Sequence, residues 1–329
     1  MSLRSTAICT FGITAALMLT GPLSTPGQAQ AHRVLRHESE HDESFNYEGG
    51  LFLPVWQGGA LLGVEGNLSD EPIIFRVDKD GQMERIGFSS PGGRYITLMG
   101  LAAGRDGSIA TIGAASDNEG RPCTFLARIT PDRSRKTLIQ LWPYVALTVT
   151  FLPDGGMWTV GYVKPPDNLG ISEYNVLKRF DASGKLLAST TVRALGIRAG
   201  GLDAAHDSFM NQSKDRIGWL TNANEYIEFA LDGHELGRFE PPPGPAPDAF
   251  ETSIAMNDDN EVLVGTRDGD GMKVWSLDRE DRSWRPVALS GGKLTKWAIL
   301  GFDADKVVVI DHRRITGATV ARYSLSSGK

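Results

Sequence analysis

Two interleaved series of short apolar segments, six members each, constrain this chain more than any other feature. One kind of segment follows a turn: LLGVEG from Leu61, IATIG from Ile109, MWTVG from Met157, IGWLT from Ile217, VLVGT from Val262 and VVVID from Val307. Successive starts are 48, 48, 60, 45 and 45 residues apart. The other kind ends in an Asp/Gly-type turn, with aligned apolar positions at Val77, Ile129, Phe180, Phe229, Trp275 and Tyr323, spaced by 52, 51, 49, 46 and 48. Within Ile73–Asp78 the residues alternate as a strand requires, Ile73, Phe75 and Val77 on one side and Ile74, Arg76 and Asp78 on the other. A further apolar run precedes each first-kind segment: LFLPVW, LMGLAA, LTVTFL, a weak one at Gly201–Ala205, TSIAM and WAILGF. After most second-kind segments comes a fourth, such as MERIGF or LLASTTV. Four strands repeated at this period, with no long amphipathic helix and 38 glycines in the turns, predict an all-β fold: a six-bladed β-propeller of four-stranded antiparallel blades.

The sixth unit reaches Lys329 after its third strand, so an outer strand is missing. An unpaired sheet edge invites wrong pairing. The residues ahead of the first blade, 32–50, are the expected donor, with Arg33–His37 or Ser44–Tyr47 pairing with Ala318–Ser324. The propeller itself is expected over 51–329.

Residues 1–31 read as a secretory leader. Arg4 is the positive end, Ala7 to Leu19 the apolar stretch, and Ala29-Gln30-Ala31 the cleavage pattern. The apolar run is too short to span a bilayer. A periplasmic or secreted protein is expected, with no membrane span after cleavage. Without Arg4, 33 Lys and Arg face 40 Asp and Glu. That evenly spread acidic balance argues against nucleic acid and against anionic lipid. Cys9 falls inside the leader, which leaves Cys123 alone. The fold therefore relies on its core rather than on disulfides, and Cys123, beside an apolar strand, reads as a buried thiol.

The repeats resemble those of six-bladed propellers of the NHL-repeat and gluconolactonase-like superfamily. The carrying segments are GLAAGRDGSIATIG (Gly100–Gly113), FLARITPD, and EYIEFALDGHEL (Glu225–Leu236), and the likeness covers nearly the whole chain after the leader. It implies the fold, and a scaffold that hosts enzymes, ligand binders and interaction platforms alike. Gluconolactonase-like members hold a divalent metal in the channel through Glu, Asn and Asp. Glu48-Gly49-Gly50 with Pro54-Val55-Trp56 is similar to the family's opening motif, so the resemblance carries over Glu48 alone. The later ligands find no clean match, Leu152-Pro153-Asp154-Gly155 being nearest.

Strand order divides the loops between two faces. The tight turns GRDG, PDGG, NDDN and FDAD share one face with DKDG, DASG and REDR. The longer connections share the other, where binding usually sits. The residues just before each innermost strand would ring the channel mouth there: Glu48, Arg94, Tyr95, Tyr144, Arg198, Phe250, Lys296 and Trp297. Aromatic walls with Arg94, Arg198 and Lys296 suit an anionic group. The expectation is a monomeric binding module for a small anionic ligand or a protein partner, with no cofactor. The alternative is a lactonase-like hydrolase or lyase at the same mouth. The run His32–Glu43 holds His37 and His41 among carboxylates, but that spacing suits a metal only on a helix, and a strand or solvated segment is expected. The proline run 241–247 reads as a stiff spacer, and Asn67 and Asn211 sit in glycosylation-type triplets.

Overall fold

The computed structural model describes residues 33–44, 52–65, 69–78, 82–89, 93–165, 170–196, 203–243, 252–314 and 317–327. All belong to the larger of two compact units of the chain, Ala31–Lys329. Among them every regular element is a strand, and no helix is long and apolar enough to cross a membrane. The leader lies outside the described residues.

The strands form a β-propeller arrangement of four-stranded antiparallel sheets, with a mixed sheet completing the ring. The first sheet is β2 (Phe52–Gln57), β3 (Ala60–Glu65), β4 (Ile73–Asp78) and β5 (Met83–Gly87). The second is β6 (Arg94–Ala103), β7 (Ile109–Ser116), β8 (Pro122–Ile129) and β9 (Lys136–Gln140). The third is β10 (Tyr144–Phe151), β11 (Met157–Val163), β12 (Glu173–Phe180) and β13 (Leu186–Thr191). The fourth is β14 (Phe209–Gln212), β15 (Arg216–Leu220), β16 (Tyr226–Ala230) and β17 (Glu235–Phe239).

The nine-stranded mixed sheet contains β18 (Thr252–Met256), β19 (Val262–Asp268), β20 (Gly271–Asp278), β21 (Ser283–Ser290), β1 (Arg33–Ser44), β25 (Gly317–Ser327), β24 (Lys306–Arg314) and β23 (Ala298–Asp303), in that order. The short β22 (Leu294–Thr295) pairs with β20.

The expected closure by the N-terminal segment is present and longer than anticipated. β1 runs antiparallel to β25 from Arg33 opposite Ser327 to Ser44 opposite Gly317, with one register shift between His37 and Ser39. Its first residues also lie parallel to β21, Arg33 through Arg36 against Val287 through Ser290. β1 therefore joins β18–β21 to β23–β25 within one sheet. Leu35 is 0% exposed in a core with Val287, Val307 and Val309, and His37 meets the Tyr323 ring edge-on at 5.4 Å. The charged run is thus a strand. His37 and His41 stand at positions opposite Tyr323 and Val320, about 13 Å apart at strand rise, which is too far to share an ion.

One sequence expectation needs correction. The innermost strand of the fourth sheet is Phe209–Gln212, not Gly201–Ala205. Asp203–Asp207 instead makes a turn whose Ala204 N–H donates to Asn175 Oδ1 at 2.9 Å, with Ala204 and Ala205 fully buried. Turn-forming Asp and small Ala suit that close packing, whereas Phe209-Met210 can pair with Trp219-Leu220.

Alternation along each strand sends consecutive side chains into different cores. Leu61 packs with Val308 and Ile310, while Leu62 packs with Ile96 and Phe125. Met157 faces the second sheet, while Trp158 and Val160 face the fourth. Both faces of a sheet are thus covered, although within β4 Phe75 and Val77 are buried while Arg76 and Asp78, on the other side, stay half-buried. Among the described residues six apolar cores follow one another around the ring. The last joins Trp56, Leu61, Phe75 and Val77 of the first sheet to Val308, Ile310, Ala318 and Val320. Each fully buried Leu, Ile or Val there contributes about 1.5–3 kcal/mol. Trp56 Nε1 also donates to Phe302 O across this junction at 3.2 Å. A Cβ at Gly301 would come within 2.5 Å of the Trp56 ring, so only glycine allows that approach. The innermost strands touch in turn, β2 on β6, β6 on β10, β10 on β14, β14 on β18, β18 on β23, and β23 back on β2.

Candidate functional site

A cavity of about 740 Å³ opens at the tight-turn end of the ring. Its wall is built from the C-terminal ends of five innermost strands and the turns that follow them. Trp56 to Gly59, Ala103 with Arg105, Asn211 with Gln212, Met256 to Asp259 and Phe302 to Asp305 all contribute, together with Arg76 and Asp78 of β4.

Gln57 stands at the floor. It is 9% exposed. Its Nε2 donates to Met210 O on β14 at 3.4 Å, and its Oε1 accepts the Ala103 N–H at 3.2 Å. One amide thus ties three innermost strands together.

The turns are short and internally tied, so the site is preformed. Asp106 Oδ1 accepts Ser108 N–H at 2.9 Å, and Asn257 Oδ1 accepts the N–H groups of Asp259 and Glu261 at 3.0 and 2.9 Å. With Asn257 and Asp106 spent on the backbone, other acidic side chains face the space. Five carboxylates line it (Asp78, Asp258, Asp259, Asp303, Asp305) against two guanidinium groups, Arg76 and Arg105. Arg105 Nη2 donates to Asp258 Oδ1, which joins the turn after β6 to the turn after β18. Both groups are roughly half exposed, at 45% and 56%, so this pair adds at most about 1 kcal/mol. Asp303 lies 3.9 Å from Arg322, and Asp78 Oδ1 accepts Gln82 N–H at 2.9 Å. The arrangement is a concave, largely acidic pocket with an apolar floor of Trp56, Met256 and Phe302, suited to a positively charged group.

Of the residues singled out from sequence, those described belong to the opposite end of the strands. Arg94 and Tyr95 open β6, about 30 Å along the strand from Ala103. Tyr95 is 64% exposed, and its N–H donates to Asp70 Oδ1 at 3.1 Å. Lys296 Nζ lies 5.0 Å from the centre of the Trp297 ring, and Trp297 is 39% exposed. Tyr144 does not line a channel mouth. It is 1% exposed, its hydroxyl is 2.9 Å from Thr159 Oγ1, and it donates to Val176 O at 3.0 Å. Burial pushes that hydroxyl well above its ordinary range. An aromatic residue opening a strand serves the core as readily as a rim, and here the core takes it. Glu48, Arg198 and Phe250 lie outside the described residues.

Two further readings are resolved locally. Cys123 is half-buried with its Sγ 3.3 Å from Ala115 O, and burial raises its thiol pKa, which suits an inert thiol. Asn211 is 8% exposed and its Nδ2 reaches Ile254 O at 3.5 Å, so it has no room for a glycan in the folded chain. Among the described residues no group of three or more His, Cys, Asp or Glu is placed to hold a metal.

No family model matches the chain, and no curated protein matches it in sequence. Solved propellers are similar in trace. The Cps50 (Swd1) β-propeller domain of Myceliophteria thermophila is 11% identical, with a TM-score of 0.47 over 88% of this chain and 100% of that one. The WD40 repeats of RRP9 are 9% identical, with a TM-score of 0.49 over 88% and 99%. U3-55K is 10% identical, with a TM-score of 0.46 over 86% and 98%. At those values the propeller assignment stands on this chain's own strand order and closed run of cores.

Proposed function

We propose that the chain is an exported six-bladed β-propeller that works as a binding module and takes the positively charged end of its ligand into the acidic tight-turn cavity. The six-fold reading treats β18–β21 as one blade and β23, β24, β25 and β1 as another, fused through β1. Six successive cores and six innermost strands in mutual contact support it. Export rests on the leader pattern in residues 1–31.

The single observation that carries the binding reading is the cavity: about 740 Å³, with five carboxylates against two guanidinium groups. That volume lies within the range of small-molecule sites. Arg105 on Asp258 supports this reading, since the wall already holds one guanidinium. Because that pair is exposed and weak, an incoming ammonium or guanidinium can take its place. This reverses the sign expected from Arg94, Arg198 and Lys296, which concerned the other face.

Calorimetric titration with agmatine, and separately with citrate, tests the reading. Agmatine should bind, and Asp258→Asn with Asp303→Asn should weaken it about tenfold or more. Citrate binding that is lost in Arg94→Ala with Lys296→Ala, and no agmatine binding, would move the site to the long-loop face.

A further inference from the structure

The turn between β15 and β16 and the segment packed on it carry buried oxygen atoms that no hydrogen bond among the described residues satisfies. Thr221 N–H donates to Glu225 O at 3.0 Å and Asn224 N–H to Thr221 O at 2.9 Å, which closes the turn. Asp203-Ala204 packs on it: Asn222 N–H donates to Ala204 O at 3.1 Å, and Asn222 Nδ2 to Asp203 O at 3.0 Å. Ile227 belongs to the core between the third and fourth sheets, and Tyr226 to the next core. By strand alternation Glu225 shares the side of Ile227, which is where Ala204 and Ala205 are buried.

Five oxygens in these two segments are buried without a hydrogen-bond partner: Asp203 Oδ1, Asn222 Oδ1, Asn224 Oδ1, and both Glu225 Oε1 and Oε2. Glu225 is 0% exposed and Asn224 1%. The N–H groups of Leu195 and Gly196 incline toward the Glu225 carboxylate without closing a full bond. The cation nearest in effect, Arg238, is spent bidentately on Glu235 at 2.7 Å for each bond. His206 is likewise engaged by Asp207 at 2.8 Å.

We propose that this turn is a binding site for a hard divalent cation of the Ca²⁺ type, held by the Glu225 carboxylate and the amide oxygens of Asn222 and Asn224, with Asp203 completing the oxygen set. All five atoms are acceptors and all are oxygen, the donor set that Ca²⁺ takes in preference to softer metals. A water would donate only two hydrogens among them. Two carboxylates supply the charge a divalent ion neutralises, and burying them unpaired is otherwise costly. The site lies at the opposite end of the fourth sheet from the acidic cavity and is independent of it.

The test uses the full chain stripped with EDTA. Equilibrium dialysis with elemental analysis should find one Ca²⁺ per chain, with a matching rise in thermal midpoint and Tb³⁺ binding that Ca²⁺ displaces. Glu225→Gln should weaken Ca²⁺ at least about tenfold, because it removes a charge as well as an acceptor oxygen, and Asn222→Ala should weaken it less, because it removes only a neutral oxygen. Circular dichroism of each variant without metal confirms the fold. Asp258→Asn and Asp305→Asn in the cavity should leave Ca²⁺ affinity unchanged. No uptake by the unaltered chain up to about 5 mM, above the range of weak extracellular sites, overturns the proposal. So does Glu225→Gln binding like the parent, or loss of binding in the cavity variants instead.

Discussion

Glu228→Gln offers a sharp test of how neighbouring sheets are held in register. Glu228, on β16, is 1% exposed in its side chain and takes Arg216 Nη1 at 2.9 Å from β15. From the neighbouring sheet Arg279, in the turn after β20, gives Nη2 at 2.5 Å and Nε at 3.1 Å. Tyr226 donates its hydroxyl to the same carboxylate at 3.1 Å, and burial together with that carboxylate holds the hydroxyl well above its ordinary pKa. The amide keeps the shape and removes the charge, leaving two guanidinium groups close together. Removing one partner from a buried charge cluster costs about 3–5 kcal/mol. Both arginines keep 29% exposure and so retain some hydration, which places the loss near the low end, about 3 kcal/mol. For a domain of this size that is a fall of about 5 °C in Tm. Urea unfolding followed by tryptophan fluorescence measures it, and a double-mutant cycle with Arg279→Met should give a coupling above about 0.5 kcal/mol. A variant within about 0.5 kcal/mol of the parent, or a cycle with no coupling, refutes the reasoning.

Leu35→Ala should cost about 2–5 kcal/mol, as expected for a leucine buried at 0% exposure in the core that β1 shares with Val287 and Val307; Arg36→Ala, one residue along and exposed, should stay within about 0.5 kcal/mol. Gly301→Ala should lower stability by about 1–3 kcal/mol through overpacking, since its Cβ would meet the Trp56 ring at 2.5 Å, and chemical denaturation reads the change. The Asp132 carboxyl is lowered to about 2 by hydrogen bonds from the Thr130 and Ser134 hydroxyls and the Ser134 N–H. A folded pKa below the unfolded one adds stability that is complete above about pH 4 and lost as pH falls through about 2. The stability difference between the parent and Asp132→Asn should therefore shrink over that window, while an NMR titration of Asp132 should give a midpoint near 2.

What could be read in the sequence follows from what repeats. Val77, Ile129, Phe180, Phe229 and Tyr323 recur because each stands opposite the first residue of the adjoining strand's apolar segment, Leu61, Ile109, Met157, Ile217 and Val307, and that place must be apolar to pack on the preceding sheet; Trp275 faces the same way but lies two residues along, opposite Val264. The closing strand was legible as an absence, a sixth unit one strand short, rather than as a pattern in Arg33–Ser44, whose charges alone suggest a solvated tail. β14 escaped notice because Phe209–Gln212 is only four residues long and the better apolar match, Ala204-Ala205, is used as a buried turn. The cavity was not legible because its parts are far apart in the chain. Arg105 and Asp258 are 153 residues apart, and each sits in a turn where Asp and Gly are already explained by backbone geometry. Only the ring brings those turns to one mouth. Tyr144 shows the reverse error: position before an innermost strand marks a rim only when the side chain turns outward, and its hydroxyl bonds to Thr159 and Val176 turn it inward.

The central claim is that the ring is sealed by the N-terminal strand. Amide hydrogen exchange over Arg33–Ser44, compared with Gly317–Ser327 in the same full-length sample, tests it directly. With β25 on one side along its length and β21 on the other at Arg33–Arg36, the amides of β1 should be protected to about the same degree as those of β25. Exchange of Arg33–Ser44 at the rate of an unstructured peptide, while β24 and β25 stay protected, would contradict the account.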